Sequence, residues 1–506
     1  MLGYTSLRRE RGNGMTAPRL SYRLRALASI LSCAAVAFSL GLPGRPQAQS
    51  LQAPVLIVPG LMGSKLADAK GPIWDSVASA FARFSDLEYP TNGKGSSVRA
   101  VDLLDSYKLF GPLEIPGYGR LVSYLESIGF RSGTTLFAFP YDWRQSNATS
   151  ALELERFIQR TPVLAGKSFN IVAHSMGGIV SALYVARNPS FDGHVITFGT
   201  PFFGSLAAYQ ALIHQPSRYE QWFGPYDSRV YSRVVRSMPS LFELTPTYTP
   251  AAVLGNIGTE LNLLSESEWM RFGWLGPTPS ATARRSLAEA SATRAVFDQV
   301  LSRTAPSRQT FRLVAGALPA TDEVVNVNPL DGRPLRWSTS KGDGTVTEVS
   351  ASAGYLGDAY PSFSDHRTMF EDDFAREILR RTLSGQSPSA GPRRPVVQVQ
   401  GGGQIEVASV EIEFEGPYLE SGAPSSVSIR LENPSGEGIG GVAVEGELVS
   451  NRREPLERLS FTSGGSVGTY SATFQAPISQ GLYAVTMNVP ALGAYERYFA
   501  STRVPR

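Results

Sequence analysis

The chain has 506 residues, of which 42% are hydrophobic and 18% charged, a composition that excludes wholesale disorder. This length exceeds that of a typical single hydrophobic core, so two or more domains are expected. The formal charge of +3 depends on residues 1–48, which hold seven arginines and one glutamate. The other 40 basic and 43 acidic residues give a net charge of about −3 and leave no basic surplus for binding nucleic acid.

Residues 1–48 are typical of a secretory signal peptide. The basic stretch "RLSYRLR" precedes the apolar run "ALASILSCAAVAFSLGL", and a short exit ending at Ala48 follows it. The run has 17 residues, which is the short limit for a membrane span, so an uncleaved anchor is the less favoured alternative. We therefore expect export to the periplasm, the cell surface or the medium, with Met1 and Met15 as alternative starts.

Cys33 is the only cysteine of the chain, and it lies within this expected signal. The mature protein would therefore have no disulfide, no thiol nucleophile and no cysteine-ligated metal site. We expect it to work without a metal ion or another cofactor.

Residues 50–383 alternate short apolar runs with helical patterns. In chain order these are "PVLIVPG", "GRLVSYLESIGF", "TLFAFPYD", "ALELERFIQ" and "FNIVAH". The alternation predicts an α/β domain with a mainly parallel sheet and helices on its faces. Residues of about 202–309 are less regular and carry bulky stretches such as "QWFGPY" and "EWMRFGWLGP". They predict a cap, whose aromatic side chains either face lipid or form buried core.

A polar, proline-rich linker is expected at residues 384–395, "SGQSPSAGPRRP". Beyond it, residues 396–506 change to a period of two: in "VEIEFEG", Val410, Ile412 and Phe414 alternate with glutamates. Several such short strands, separated by turns, predict an all-β, immunoglobulin-like sandwich as an accessory domain. The partner of this sandwich stays open.

Two serines compete for the nucleophile position of the pattern G-x-S-x-G. Ser466, in "GGSVG", fits it letter for letter but lies between two alternating strand patterns, which predicts a hairpin turn. Ser175, in "NIVAHSMGGIV", has Ala173 at the first glycine position, yet it follows a buried strand and precedes a helix. That context favours Ser175 as the nucleophile over its alternative role, a helix N-cap.

A serine nucleophile needs a base, and the chain has four histidines. His174 adjoins the serine and is expected to point away from it, His194 opens a strand, and His214 lies in the expected cap. His366, in "SDHRTMF", follows the last sheet-like segment and precedes a helix. We therefore expect His366 to be the base.

In an α/β hydrolase the acid lies between the serine and the histidine along the chain. Asp343, on the glycine-rich turn "KGDGTV", fits this order, whereas Asp365 is the histidine's neighbour and cannot easily reach its Nδ1 edge. The backbone N–H groups of Met176, directly after the nucleophile, and of Leu61, in "VPGLMG", are the expected oxyanion hole.

Five sequence blocks, "LIVPGLMGSKL", "LFAFPYDWRQS", "NIVAHSMGGIV", "ITFGTPFFGS" and "GDGTV", follow one another, and "SDHRTMF" closes the series. With them the chain resembles the lecithin:cholesterol acyltransferase family, which includes lysosomal phospholipase A2 and phospholipid:diacylglycerol acyltransferases. The resemblance covers roughly residues 53–383. It implies an α/β-hydrolase fold with a cap or lid insertion, and it makes Ala173 an expected residue because the family tolerates alanine there.

At the matching positions the resemblance implies a triad of Ser175, Asp343 and His366 and an oxyanion hole of Leu61 and Met176. It implies a structural role near the site for Asp142 and Arg144 of "PYDWR". The family's short membrane-active loop corresponds to "GPIWDSVASAFARF", in which Trp74 would contact lipid. Animal members close that loop with a disulfide, which this chain lacks.

Together these features predict an exported serine acyltransferase or lipase, of phospholipase type, in lipid metabolism. A phospholipid or other lipid ester would donate its acyl group, through transient contact with a membrane surface. The sequence leaves open the acyl acceptor, the preferred chain length and the oligomeric state. Two rivals stand: a carboxylesterase for small soluble esters, and a non-catalytic surface-binding protein on a hydrolase scaffold, against which the complete triad order argues.

Overall fold

The computed structural model describes most of the chain from residue 53 onward. The described ranges are 53–90, 96–108, 114–213, 228–255, 258–276, 281–303, 310–354, 359–388, 395–414, 418–450, 455–479 and 481–502. The expected signal peptide, the middle of the expected linker and the stretch "QWFGPY" lie outside the described residues.

Strands and helices alternate in the part of the chain before residue 384. The strands are β1 Val55–Val58, β2 Ser64–Asp68, β3 Gly71–Trp74, β4 Arg99–Leu103, β5 Ser106–Lys108, β6 Glu114–Pro116, β7 Leu136–Ala138, β8 Asn170–His174, β9 Val195–Phe198, β10 Ala252–Leu254, β11 Thr259–Glu260, β12 Phe311–Gly316, β13 Ala320–Val327, β14 Pro334–Lys341 and β15 Tyr360–Ser362. The helices are α1 Val77–Ala82, α2 Gly119–Ser127, α3 Asn147–Arg160, α4 Met176–Arg187, α5 Leu206–Leu212, α6 Ser228–Val235, α7 Pro239–Glu243, α8 Glu266–Arg271, α9 Ala281–Arg303, α10 Glu348–Ala351 and α11 Asp373–Leu383.

The central sheet has six strands in the order β15-β12-β9-β8-β1-β7, and each neighbouring pair is parallel. Strands β1, β8 and β9 are buried along their whole length, as their nearly unbroken apolar runs require. The pleat directs Leu56 and Val58 into one hydrophobic core and Val55 and Ile57 into another. The predicted α/β architecture is therefore confirmed.

Helices cover both faces of this sheet. On one face α4 adds Val180 to the core of Leu56 and Val58. On the other face α2 and α11 add Leu121 and Leu379 to the second core. The site described below lies at the ends of the central strands β1, β8 and β9, where these layers meet.

The expected cap lies between β9 and β12 and contains α5 to α9 with β10 and β11. Its aromatic side chains pack on one another: Tyr209, Phe242, Trp269 and Trp274 form edge-on and tilted pairs with ring centroids 5.2 to 6.0 Å apart. Each of the four is buried. These four residues therefore form buried core and do not face lipid.

The described residues between 396 and 502, which we call the C-terminal β region, contain a series of strands. They are β16 Val396–Gln398, β17 Gln404–Glu406, β18 Ser409–Phe414, β19 Tyr418–Glu420, β20 Pro424–Glu432, β21 Glu445–Ser450, β22 Pro455–Ser460, β23 Thr462–Ser463, β24 Thr469–Gln475, β25 Gly481–Val489 and β26 Gly493–Thr502. Two sheets, β18-β20-β24-β23 and β19-β26-β25-β21-β22, bury a common core that includes Ile429 and Val485. The immunoglobulin-like assignment of this region stays a prediction.

None of the helices in the described part of the chain combines the length and the apolar character that crossing a bilayer requires.

Candidate active site

Ser175 lies on a strained turn between β8 and α4. Its backbone has φ 53° and ψ −130°, a conformation that a residue other than glycine rarely adopts. The turn is fixed on both sides, because the Ser175 N–H donates to the Phe198 carbonyl at 2.8 Å and its own carbonyl accepts from Gly178 N at 2.9 Å. This is the strand–turn–helix geometry that exposes a serine hydroxyl at the end of a parallel sheet.

The glycines that flank the turn are required by close packing. A methyl group at Gly177 would lie 2.3 Å from the Val58 carbonyl oxygen, and one at Gly178 would lie 2.0 Å from Thr200 Oγ1. Ala173, by contrast, is an interior residue of β8 whose side chain is fully buried. The steric demand therefore falls on the two positions after the serine, and a small residue suffices before it.

His366 and Asp343 are held together by two hydrogen bonds. The ring Nδ1 lies 2.7 Å from Asp343 Oδ2, and the His366 N–H donates to the Asp343 carbonyl at 2.9 Å. The other carboxylate oxygen, Oδ1, accepts from Thr345 N at 2.9 Å and Val346 N at 2.7 Å. Because both side chains are buried, the pair has a fixed orientation.

Gly199 makes this pairing possible. It follows β9 with φ 55°, and a methyl group there would lie 2.6 Å from Asp343 Oδ2 and 2.9 Å from His366 Nδ1. Only a glycine at the end of this central strand lets the carboxylate and the imidazole meet beside the serine.

Ser175 and His366 line the same cleft, but the structure contains no hydrogen bond between these two described residues. Such contacts are often long before substrate binds. The structure thus brings the three predicted catalytic residues to one place, with the acid–base pair fully formed and the serine beside it.

The two predicted oxyanion donors lie next to the serine. Met176 is the first residue of α4, so its N–H has no carbonyl within the helix to bind. Leu61 lies on the turn after β1 and lines the cleft. A methyl group on the preceding Gly60 would lie 2.7 Å from Ser175 Cβ, which shows how closely that turn passes Ser175.

His174, which the sequence analysis set aside as the base, and Tyr118, which it did not indicate, both line the cleft. Tyr118 Oη accepts from Gly60 N at 2.7 Å and lies 2.8 Å from His174 Nδ1. The other ring nitrogen, Nε2, lies 2.9 Å from the His366 carbonyl oxygen. Because a carbonyl only accepts, His174 must carry its proton on Nε2 and accept from Tyr118 on Nδ1.

Burial and the nearby imidazole of His366 lower the pKa of His174 to about 3, so this ring is neutral at physiological pH. The centroid of this ring lies 4.8 Å from that of His366, with the two ring planes tilted by 44°, so His174 packs against the predicted base. A chain of neutral groups joins the turn after β1 to the backbone of the base.

The cleft that opens at Ser175 is apolar. It has a cavity volume of about 200 Å³ and is open to solvent at its mouth. Its walls include Leu61, Met62, Trp74, Phe84, Leu87, Trp143, Tyr231, Val235, Met238, Leu241 and Leu244. Such a surface favours a hydrocarbon chain over a polar substituent.

Trp74 is not a surface residue. It is 1% exposed, donates from Nε1 to the Met62 carbonyl at 3.0 Å and packs edge-on against Trp143 with ring centroids 5.4 Å apart. The expectation of a membrane-facing side chain on the loop is corrected to a position in the cleft wall, because the indole finds its hydrogen-bond acceptor inside.

Arg144 has a structural role, as expected. Its fully buried guanidinium binds both carboxylate oxygens of Asp142, at 2.8 and 2.7 Å, in a bidentate pair. It also donates to the Leu87 carbonyl at 3.2 Å and to Ser96 Oγ at 2.9 Å. Through the bond to the Leu87 carbonyl, Arg144 holds the segment of Leu87 next to Trp143, and both of these residues line the cleft.

The rival residues lie elsewhere or make other bonds. Ser466 is on the turn between β23 and β24, where its hydroxyl lies 2.8 Å from Thr469 Oγ1 and accepts from Arg430 at 3.2 Å. The Asp365 carbonyl accepts from Thr368, while the ring of its neighbour binds Asp343. His194 precedes β9, and His214 lies outside the described residues. Among the described residues, no group of three or more His, Cys, Asp or Glu side chains could hold a metal ion.

Comparison with known proteins gives a family match over part of the chain. Residues 91–253 match the model of the family described as lecithin:cholesterol acyltransferase. These residues include Ser175 but end before Asp343 and His366, so the acid and the base rest on the geometry above.

Two plant relatives and one human relative match part of the chain. Phospholipase A(1) LCAT3 of Arabidopsis thaliana is 34% identical over 119 residues, which are 21% of this chain and 26% of the relative. Lecithin-cholesterol acyltransferase-like 4 of Arabidopsis thaliana is 26% identical over 227 residues, 38% of this chain and 42% of the relative. The lysosomal phospholipase A and acyltransferase of Homo sapiens is 26% identical over 186 residues, 35% and 44% respectively. The matched part of the chain thus spans 26% to 44% of the length of these relatives.

Solved structures give weaker likenesses. The Tle4–Tli4 complex has a TM-score of 0.44 and 14% identity, covering 66% of this chain and 97% of that one. Bacillus licheniformis lipase BlEst2 in its propeptide form has a TM-score of 0.33 and 13% identity, covering 89% and 74%. The fold assignment therefore rests on the sheet topology above. Over part of its length the chain is therefore similar to the lecithin:cholesterol acyltransferase family.

Proposed function

We propose that the protein is a serine acyltransferase or phospholipase that acts on lipid esters through an acyl-serine intermediate. The observation that carries the proposal is the buried bond between His366 Nδ1 and Asp343 Oδ2, 2.7 Å long, at an apolar cleft that Ser175 also lines. A nucleophile, an oriented base and an apolar wall for the substrate are the parts that lipid acyl transfer requires.

In the proposed reaction Ser175 Oγ attacks the acyl carbonyl carbon, and His366 Nε2 takes the hydroxyl proton. Asp343 accepts from Nδ1–H and stabilises the imidazolium that forms. The carbonyl electron pair moves onto oxygen, where the N–H groups of Leu61 and Met176 stabilise it by about 3–4 kcal/mol for each donor. The bond to the leaving alcohol then breaks, His366 returns the proton to that alcohol, and the acyl group stays on the serine.

Water or a second alcohol then repeats the sequence in reverse. His366 removes a proton from the acceptor, which attacks the acyl-serine, and Ser175 regains its hydrogen. Hydrolysis and transfer differ only in which acceptor reaches the acyl-serine. A phospholipid is the donor we propose, because two of the relatives are named as phospholipases and the cleft is apolar.

We also propose the setting in which this reaction occurs. A secretory signal at residues 1–48 would export the protein, and the C-terminal β region would be an immunoglobulin-like accessory domain joined through residues 384–395. Because Trp74 forms part of the cleft wall, lipid would meet it after leaving the membrane surface and not on that surface.

The test is turnover of mixed phospholipid vesicles that contain a sterol and a long-chain alcohol, with mass spectrometry of the products. Wild-type protein should release lysophospholipid, and the acyl group should appear as fatty acid or as a new ester. Ser175→Ala should abolish turnover without unfolding the protein, whereas Ser466→Ala should have no effect.

Two outcomes would contradict the proposal. Failure of a fluorophosphonate probe to label wild-type protein would favour a binding protein on an inert scaffold. A preference for short monomeric esters, unchanged by vesicles in a chain-length series, would favour a carboxylesterase for small esters.

A further inference from the structure

The C-terminal β region packs against the chain segment that leads to the proposed base and against a second segment that hydrogen-bonds to the turn of the proposed acid. Ala317, Leu318 and Phe363 belong to the α/β part of the chain, yet they lie in the same hydrophobic core as the strands of that region. Two hydrogen bonds accompany this core: Val410 N donates to the Leu318 carbonyl at 3.3 Å, and Tyr495 Oη donates to the Phe363 carbonyl at 3.1 Å.

Phe363 lies three residues before the proposed base, His366. Its N–H donates to Asp372 Oδ2 at 2.8 Å, and its carbonyl accepts from Tyr495. Its side chain is 6% exposed, and the tyrosine is fully buried. The backbone of Phe363 is therefore held from both sides, by α11 through its cap residue Asp372 and by β26 through Tyr495.

The acid is connected to the same surface. The carbonyl of Pro319, next to Leu318, accepts from Gly342 N and from Thr321 Oγ1, each at 3.1 Å. The Thr321 hydroxyl also accepts from Gly344 N at 2.8 Å. These bonds fix the residues on either side of Asp343, so the turn with the acid rests on the segment against which β18 packs.

We propose that Tyr495 is a positioning residue for the base, and that the C-terminal β region thereby keeps His366 in place against Asp343. The inference rests on the proposed function. A base displaced by about 1 Å can lose on the order of a hundredfold in rate, because proton transfer needs heavy atoms within roughly 3 Å of one another. One hydrogen bond to the backbone three residues away can therefore affect the reaction without contacting substrate.

If Tyr495 had a purely structural role, loss of its hydroxyl would lower stability without a specific loss of catalytic rate. Tyr470 provides the matched control for that alternative. Its hydroxyl is also buried in the C-terminal β region, donates to the Ile439 carbonyl at 2.8 Å and accepts from Val442 N at 2.8 Å. All of these partners lie within the C-terminal β region itself. Loss of that hydroxyl should cost stability as much as loss of the Tyr495 hydroxyl, with no path to His366.

The experiment compares Tyr495→Phe and Tyr470→Phe in the full chain. For each variant the midpoint of thermal unfolding, the kcat and KM for a p-nitrophenyl acyl ester, and the rate of fluorophosphonate labelling of Ser175 are measured. We expect Tyr495→Phe to lower kcat and the labelling rate about 5- to 50-fold while KM stays within twofold. Tyr470→Phe should leave all three kinetic values within twofold of wild type.

Asp372→Asn is the second variant, because it removes the acceptor for Phe363 N while keeping an oxygen for the cap of α11. It should lower kcat in the same way, and the double variant with Tyr495→Phe should lose less than the product of the two single losses, since both act on one residue. Wild-type rates for Tyr495→Phe, or equal rate losses in the two tyrosine variants, would overturn the positioning role. Wild-type protein that neither labels nor turns over ester would instead overturn the proposed function itself.

Discussion

In the cleft that Ser175 lines, a carboxylate binds an imidazole, and a tyrosine hydroxyl and a second imidazole connect the turn after β1 to the backbone of His366. Both networks are buried, and their two rings lie 4.8 Å apart. They differ in charge: the first contains an acid next to the ring, whereas the second contains only neutral groups.

This difference assigns separate roles to two neighbouring histidines. An imidazole that receives a proton needs an anion at its other nitrogen, and Asp343 supplies one to His366. His174 binds only a hydroxyl and a carbonyl, and burial holds its pKa at about 3. In the proposed reaction it would therefore not compete with His366 for the proton of the serine.

We call the Asp343–His366 pair the charged network and the Tyr118–His174 chain the neutral network. Substitutions in the charged network should lower activity most. Asp343→Asn keeps the shape of the side chain but removes the anion and offers an N–H to Nδ1, which favours the wrong tautomer of His366. We expect kcat for a p-nitrophenyl ester to fall about 10⁴-fold, with an unchanged circular dichroism spectrum. Asp365→Asn, one residue before the base, is the control and should retain activity within a few fold. A loss below tenfold for Asp343→Asn would contradict the assigned acid.

The charged network can also be broken without changing a polar group. Gly199→Ala places a methyl group 2.6 Å from Asp343 Oδ2, and we expect kcat to fall about 100-fold as the pair separates. Gly166→Ala is the control: its φ of 65° is similarly strained, but its added methyl group meets no atom within 4 Å. Equal effects of the two variants on kcat would mean that backbone strain, and not contact with the pair, is responsible.

In the neutral network, His174 should make the free energy of unfolding depend on pH. His174 binds a proton when unfolded below pH 6.5 but stays neutral when folded down to about pH 3. The unfolded state therefore binds more protons in this window, and the free energy of unfolding should fall by roughly 1.4 kcal/mol for each pH unit below about 6.5. Urea unfolding of His174→Gln should lack this contribution. His194→Gln, the control, should instead follow the wild-type pH profile. If the unfolding free energy of His174→Gln fell with pH as steeply as that of the wild type, a neutral buried ring would be contradicted.

The smallest effect is expected at the start of the neutral network. Tyr118→Phe removes the hydroxyl that accepts from Gly60 N and donates to His174, and we expect kcat to fall about 3- to 10-fold, because one hydrogen bond is worth about 1 kcal/mol. Tyr124→Phe, on the helix that Tyr118 precedes as its N-cap, is the control, since its hydroxyl donates to the Arg376 carbonyl at 2.9 Å and lies outside both networks. Identical kinetics for the two variants would remove Tyr118 from the site.

Much of the site follows from local sequence. The turn at Ser175 can be recognised because a strand and a helix that meet at a serine need small residues within a few positions, and Gly177 and Gly178 supply them. The order of groups along the chain then selects Asp343 and His366. These choices need no knowledge of which distant residues come together.

Other features could not be derived in this way. Trp74 has the composition expected of a membrane-facing loop, yet its indole binds the Met62 carbonyl inside the cleft. Tyr118 and Tyr495 resemble any other buried tyrosine in the sequence. Their bonds to His174 and to Phe363 join residues 56 and 132 positions apart, and no local pattern marks such a contact.

The sequence by itself therefore determined the α/β layers, the serine turn and the candidate triad, because periodicity and turn sterics act over a few residues. Only the tertiary structure decided which groups contact the candidate triad: Tyr118 and His174, whose hydrogen bonds reach the His366 carbonyl, and Tyr495 of the C-terminal β region, which binds the Phe363 carbonyl. The reason is that a buried hydrogen bond requires two groups to meet in space, and their meeting depends on the packing of the whole chain.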